Sequence, residues 1–154
     1  HGVHRRQRQM CIRDRCISES QISPKSLTFG DLTVQLGLSI CYDLRFPEMY
    51  RALVQRGAQI VCVPAAFTRE TGEAHWAALL RARAIENQVY VLAAAQHGLH
   101  ANGRQTWGHS MIIDPWGDVI AQQSTGRGLV SATLDLTKIE SLKARFPVHQ
   151  HRRL

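Results

Sequence analysis

The apolar positions change period at a single cysteine. From Thr33 to Ile40, the run TVQLGLSI sets Val34, Leu36, Leu38 and Ile40 two apart, which is the spacing of a strand with one apolar face. Cys41 ends the run. Beyond it, Phe46, Met49, Tyr50, Leu53 and Val54 fall at i, i+3, i+4, i+7 and i+8, with Pro47 suited to a first helical turn and Gly57 to a C-terminal cap. The spacing predicts a helix of about three turns. AQIVCVP, from Ala58 to Pro64, is a continuous apolar run of the kind buried on both faces of a parallel sheet. Cys41 is thereby placed at the carboxyl end of the first strand of a strand-helix-strand unit, the edge at which open α/β sheets bind ligands.

The unit repeats. A loop AAFTRETG leads to a helix from about Glu73 to Gln88, and VYVLAAA, from Val89 to Ala95, reads as another buried strand. Two successive crossovers predict an α/β fold with a parallel sheet. Further on, HSMIID, DVIAQQ and LVSATLD are short strand patterns separated by the turn-forming PWG and STGRG, which predicts antiparallel or edge strands. A short helix near Thr137 to Ala144 and the basic tail HQHRRL close the chain. Residues 1–15, HGVHRRQRQMCIRDR, follow neither period. They are expected to be a basic segment, disordered or foreign to the fold, ahead of one domain over residues 16–154.

Composition narrows the class. With 154 residues, 44% of them hydrophobic, the chain can bury one sizeable core. The net charge of +7 resides at the ends: residues 1–15 and 138–154 carry +4 each, and the middle carries −1. Basic ends on a neutral domain do not point to nucleic acid as a partner. The longest apolar runs are strand-sized and the first residues lack the apolar core of a signal peptide, so the expectation is a cytoplasmic protein without a membrane partner. Cys11, Cys16, Cys41 and Cys62 lack the paired spacing of a disulfide framework. No residue cluster has the ligand spacing of a zinc site and no glycine-rich phosphate loop follows a strand, so neither a metal nor another cofactor is expected.

The stretch SICYDLRFPE carries the chemistry. A thiolate attacks carbonyl or nitrile carbon, and a helix start just beyond a cysteine favours the thiolate and supplies N–H groups to a developing oxyanion. Locally, Cys41 reads first as a small buried side chain, free cysteine being among the most buried residue types. Arg45 reads either as a fork for a substrate carboxylate or as an ion-pair partner of Asp43 or Glu48. Arg81, Arg83 and Glu86, interrupting an apolar helix, read as a structural ion-pair network. His109 could serve Cys41 as a base, although nothing in its spacing requires it.

With these residues in place, the chain resembles the nitrilase (carbon-nitrogen hydrolase) superfamily, Nit branch, from about Ser18 to its end. The carriers are GLSICYDLRFPEMYR, VPAAFTRETGEAHWAALLRARAIENQVYV, AAAQHG, GHSMIIDPWG and RFPVHQHRR. The resemblance implies the C-terminal part of an α-β-β-α sandwich, homodimeric in intact family members, and no cofactor. It implies Cys41 as nucleophile and Glu19, in SESQISP, as a supporting glutamate. It makes Arg45 the anchor of a substrate carboxylate, with Tyr42, Phe67 and Thr71 also contacting substrate. The implied reaction is hydrolysis of a small carboxylate-bearing amide, such as deaminated glutathione or an ω-amide of a dicarboxylic acid. Cys41 attacks the carbonyl, ammonia leaves, and water hydrolyses the thioester. The family's general-base glutamate and its lysine have no match ahead of Cys41, where Lys25 is the sole lysine. The resemblance therefore also implies an N-terminally incomplete member of impaired activity, with an inactive binding or assembly module as the alternative.

Overall fold

The computed structural model describes residues 22–151 and 153; the 1–15 segment, Glu19, Cys11 and Cys16 lie outside the described residues. A hairpin opens the described chain. Strands β1 (Lys25–Phe29) and β2 (Leu32–Leu38) pair antiparallel around Gly30, whose φ of 57° suits a tight two-residue turn. A 3-10 turn over Cys41–Arg45 follows, then helix α1 (Pro47–Gln55) and strand β3 (Ile60–Cys62). The second crossover is a helical turn at Arg69–Thr71, a π-turn at Gly72–Trp76 and helix α2 (Ala77–Asn87), returning to strand β4 (Tyr90–Ala93). Strands β5 (His97–Leu99) and β6 (Gln105–Trp107) form a separate hairpin, and β7 (Ser110–Ile113), β8 (Val119–Gln123) and helix α3 (Thr137–Arg145) complete the order.

Six strands form one mixed sheet in the order β1-β2-β3-β4-β7-β8, with β2, β3 and β4 parallel and the other pairings antiparallel. The expected α/β architecture is therefore present, with the parallel strands central. Side chains alternate between two cores, as a strand period of 2 requires. Val61, Val63 and Val91 face α1 and α2, where they pack with Leu44, Tyr50, Leu53, Trp76 and Leu80. Val34, Ile60 and Tyr90 face α3 through Ile139. α1 forms where expected, with Pro47 in its first turn, Tyr50, Leu53 and Val54 buried, and Gly57 at φ 98° just past its end.

Three features depart from the sequence expectations. On the Val34–Leu36 face the covering layer stops short, leaving Leu38 and Ile40 each 47% exposed, while Gly37 and Ser39, alternating with them, are buried on the α1 side. A Cβ at Gly37 would lie 3.2–3.3 Å from Leu53, Ala58 and Val61, so the absent side chain lets α1 and its flanking turn sit against β2. LVSATLD forms no strand: Leu134 and Leu136 pack directly on the second core, and the Tyr90 hydroxyl donates to the Asp135 carbonyl at 2.9 Å. The β1–β2 and β5–β6 hairpins have no counterpart in the sequence reading. Among the described residues no helix is long and apolar enough to cross a membrane.

α3 is fastened to the sheet by one ion pair. Asp114, buried at the end of β7, accepts from the Lys138 ammonium with Oδ2, while Oδ1 accepts from the N–H groups of Trp116 and Asp118 and closes the PWG turn. Burial alone would push the Asp114 carboxyl up; Lys138 and the two N–H groups overcome it and hold the carboxyl below its ordinary range. A carboxylate depressed by folding stabilises the protein above its unfolded pKa, and that contribution disappears as pH falls through the folded value. Asp114→Asn is therefore expected to cost on the order of 1–3 kcal/mol at neutral pH. In urea titrations the gap from the parent chain should narrow below about pH 4; a gap constant from pH 7 to pH 2.5 would show that the ion pair does not contribute.

Candidate active site

Cys41 sits where the β2–β3 ladder runs out. Ser39 N–H donates to the Cys62 carbonyl at 3.1 Å and Cys41 N–H to the Pro64 carbonyl at 2.9 Å, so the pairing continues two residues beyond β2. There the backbone turns sharply. Cys41 adopts φ 45°, left-handed backbone that costs an L-residue about 1–2 kcal/mol. Asp43 closes the turn beyond: its N–H donates to the Ile40 carbonyl and its Oδ2 accepts from the Ile40 N–H, both at 2.9 Å. The cysteine is half-buried against the α1–α2 core, and the strained turn delivers it to the carboxyl edge of the parallel strands. Cys62, one strand over, is also half-buried, and burial pushes its thiol up.

Arg45 lies at the far end of the same turn. Its guanidinium carbon stands 5.3 Å over the Phe67 ring and 5.8 Å over the Tyr42 ring, and both terminal nitrogens lie 3.4 Å from His75 Nδ1. Among the described residues the ion pairs are Arg83–Glu86 and Lys138–Asp114; Arg45 pairs with neither Asp43 nor Glu48. Asp43 is committed to the Ile40 N–H instead. Phe67 is buried and meets Trp76 at 4.9 Å between centroids, while Tyr42 is exposed and meets Phe46 at 5.7 Å. Tyr42, Arg45 and Phe67 thus share one cluster. Thr71 stands apart from those ring contacts: half-buried, its Oγ1 is 2.9 Å from Thr68 Oγ1, at the start of the helical stretch that follows Phe67.

The second crossover brings in residues that the sequence reading did not assign. The π-turn at Gly72–Trp76 carries His75 toward Arg45 and Trp76 under Phe67. Trp76 Nε1 donates to the His109 carbonyl at 2.8 Å, and the His109 ring stacks on Trp107 at 4.2 Å with Nδ1 3.2 Å from the Trp107 carbonyl. His109 therefore serves as packing behind the cluster. Only a break in helical period within GEAHW could have signalled the π-turn. Of the predicted arginine network, Arg83–Glu86 forms at 2.9 Å, whereas Arg81 donates to the Gly117 carbonyl. No group of three or more His, Cys, Asp or Glu able to hold a metal occurs among the described residues.

The carbon-nitrogen hydrolase family model matches residues 5–144. The chain is 56% identical over 119 residues to deaminated glutathione amidase of Bos taurus, covering 77% of this chain and 36% of that protein. In three dimensions it matches the NitFhit protein of C. elegans at 55% identity and a TM-score of 0.76, covering 77% of this chain and 29% of that one. It also matches a variant of the amidase from Nesterenkonia sp. AN1 whose active-site cysteine has undergone Michael addition of acrylamide, at 34% identity, TM-score 0.63, 84% of this chain and 48% of that one. The chain spans less than half the length of each of these relatives.

The closest packing behind the cluster is at Gly72. A Cβ there would lie 2.2 Å from Trp107 Cβ and 2.3 Å from its Cγ. Gly72→Ala is expected to push Trp107 off His109 and destabilise the fold by about 1–3 kcal/mol, measurable as a lower urea midpoint. An unchanged midpoint would mean that the π-turn yields without cost.

Proposed function

The chain belongs to the carbon-nitrogen hydrolase family, and on that premise we propose that it carries the nucleophile and the substrate anchor of an amidase acting on small carboxylate-bearing amides. The observation that carries this reading is Arg45, a guanidinium on the same turn as Cys41 that forms no ion pair among the described residues and lies on aromatic rings. A fork presented by Tyr42 and Phe67 can hold a carboxylate in bidentate fashion and set a neighbouring amide carbonyl against Cys41. Deaminated glutathione, the substrate in the bovine relative's name, and the ω-amides of dicarboxylic acids both bring the required charge. Thr71 extends the substrate contact at the edge of this cluster.

The reaction proceeds by attack of the Cys41 thiolate on the amide carbonyl carbon. A carbon–sulfur bond forms, the carbon–nitrogen bond breaks as nitrogen takes a proton, and water then releases the acid and restores the thiol. Glu19 is assigned the supporting carboxylate. The general base and lysine implied by family resemblance have no match ahead of Cys41, and Lys25 stands exposed on β1. Acyl transfer to Cys41 is thus the step these residues support best. A cytoplasmic homodimer is part of the same reading.

Two measurements test it. Incubation with deaminated glutathione or an ω-amide should leave an acyl mass on Cys41, mapped by peptide mass spectrometry and absent from Cys41→Ala; acylation spread equally over Cys62 would refute the nucleophile. The anchor is read from alkylation. The ratio of iodoacetate to iodoacetamide rates at Cys41 should fall about tenfold in Arg45→Ala, since a charge-assisted contact contributes roughly 1.5 kcal/mol. An unaltered ratio would remove Arg45 from carboxylate binding.

A further inference from the structure

A second arginine meets the Cys41 turn from behind. Arg83, on α2, is only 5% exposed, and its fork closes on one atom: Nε and Nη2 donate to the Leu44 carbonyl at 3.2 and 2.7 Å. Leu44 lies inside the 3-10 turn that begins at Cys41 and ends at Arg45, and its side chain is fully buried. The remaining guanidinium nitrogen, Nη1, donates to Glu86 Oε1 at 2.9 Å, and the guanidinium carbon stands 5.4 Å over the Tyr50 ring. The Tyr50 hydroxyl meets Ser39 Oγ at 2.8 Å, and Ser39 Oγ donates to the Cys62 carbonyl at 2.9 Å. Residues 39 and 44, on either side of the nucleophile, are therefore both tied to this buried polar chain.

A buried guanidinium is an expensive way to hold one carbonyl. Removing the charge from water costs several kcal/mol, which one neutral acceptor does not offset unless a carboxylate also pairs with it. Packing of α2 alone would be served by an apolar side chain of similar volume. What Arg83 adds is direction: a planar fork aimed at one carbonyl fixes the orientation of the peptide between Leu44 and Arg45. We propose that Arg83, oriented by Glu86, is a positioning residue that sets the Cys41–Arg45 turn and so couples the place of the nucleophile to the place of the carboxylate anchor. The inference rests on the amidase reading above and deepens it.

The test compares the parent chain with Arg83→Met, Arg83→Lys and Glu86→Gln, using peptide mapping to follow alkylation of Cys41 and Cys62 in the native state. The parent should label Cys41 well ahead of Cys62; equal labelling there would sink the amidase reading itself, and with it this inference. If Arg83 positions the turn, Arg83→Met slows Cys41 labelling about tenfold and lowers its iodoacetate-to-iodoacetamide ratio, while Cys62 labelling is unchanged. Arg83→Lys should recover only part of both, because one ammonium cannot fork on the carbonyl and reach Glu86. Should Arg83→Met fail to melt cooperatively, Glu86→Gln supplies the reading, with an expected two- to threefold loss at Cys41 alone. Parent-like Cys41 rates and ratios in Arg83→Lys and Glu86→Gln, with Cys41 reactive in the parent, would overturn the positioning role and leave the amidase reading standing. Equal acceleration of Cys41 and Cys62 in those variants would also overturn it, by showing general loosening.

Discussion

The hydrogen bond from Cys41 N–H to the Pro64 carbonyl is the constraint around which the site is arranged. It holds the chain at the edge of β3 after β2 has ended, while the next residues must turn away into α1. Left-handed backbone at Cys41 is what that change of direction requires. The strain persists because the turn is fixed on both sides, by Ser39 against Cys62 and Tyr50 and by Leu44 against Arg83. Releasing either tie would let the cysteine relax into ordinary backbone and withdraw its side chain from the edge. The local conformation of Cys41 is therefore a tertiary property, set by α2 as much as by the strand that bears it.

The sheet makes such a fixed edge possible. β2, β3 and β4 run parallel between two cores, so each buries alternate side chains against α1 and α2 on one face and the α3 layer on the other. Parallel strands held on both faces cannot slip register without exposing one full set of side chains. Their carboxyl ends are consequently fixed relative to one another. Cys41, Phe67 and the loop after β4 hang from that common edge, and Thr68 and Trp107 tie the second crossover to β6 through the Thr68–Thr106 bridge and the Trp107 N–H bond to the Phe67 carbonyl.

The parallel core was legible in the sequence because its signal is local: continuous apolar runs at β3 and β4 and a clear helical period at α1. The β1–β2 hairpin was missed although Gly30 and Asp31 are apt turn residues, because every residue of β1 is exposed and the strand carries no buried stripe. LVSATLD misled in the opposite sense. Its alternation is real, but Leu134, with Leu136 just beyond the run, packs against the Ile139 core without a ladder. At the site, Cys41 and Arg45 were marked by resemblance rather than by period, and the structure separated Arg45 from its expected carboxylate partners because Asp43 is used to close the turn. His75 and the Arg83–Leu44 contact were beyond reach, since one depends on a π-turn and the other spans 39 residues.

Arg45 and Arg83 show how one residue type takes opposite roles within a few ångströms of backbone. Arg83 is buried, and each of its three nitrogens donates inside the fold, Nε and Nη2 to a carbonyl and Nη1 to a carboxylate. Arg45 is half-buried on Phe67 and Tyr42, with a histidine nitrogen rather than a carboxylate beside it. Aromatic faces and an imidazole steady a guanidinium without neutralising it, so its charge stays available to an anion entering from the carboxyl edge. The division follows from sequence position. Arg83 points from the interior face of α2, where solvent is excluded and an acidic partner is required, while Arg45 ends a turn whose own carboxylate, Asp43, accepts from the main chain. Glu86 thus gives Arg83 a carboxylate partner that Arg45 lacks among the described residues.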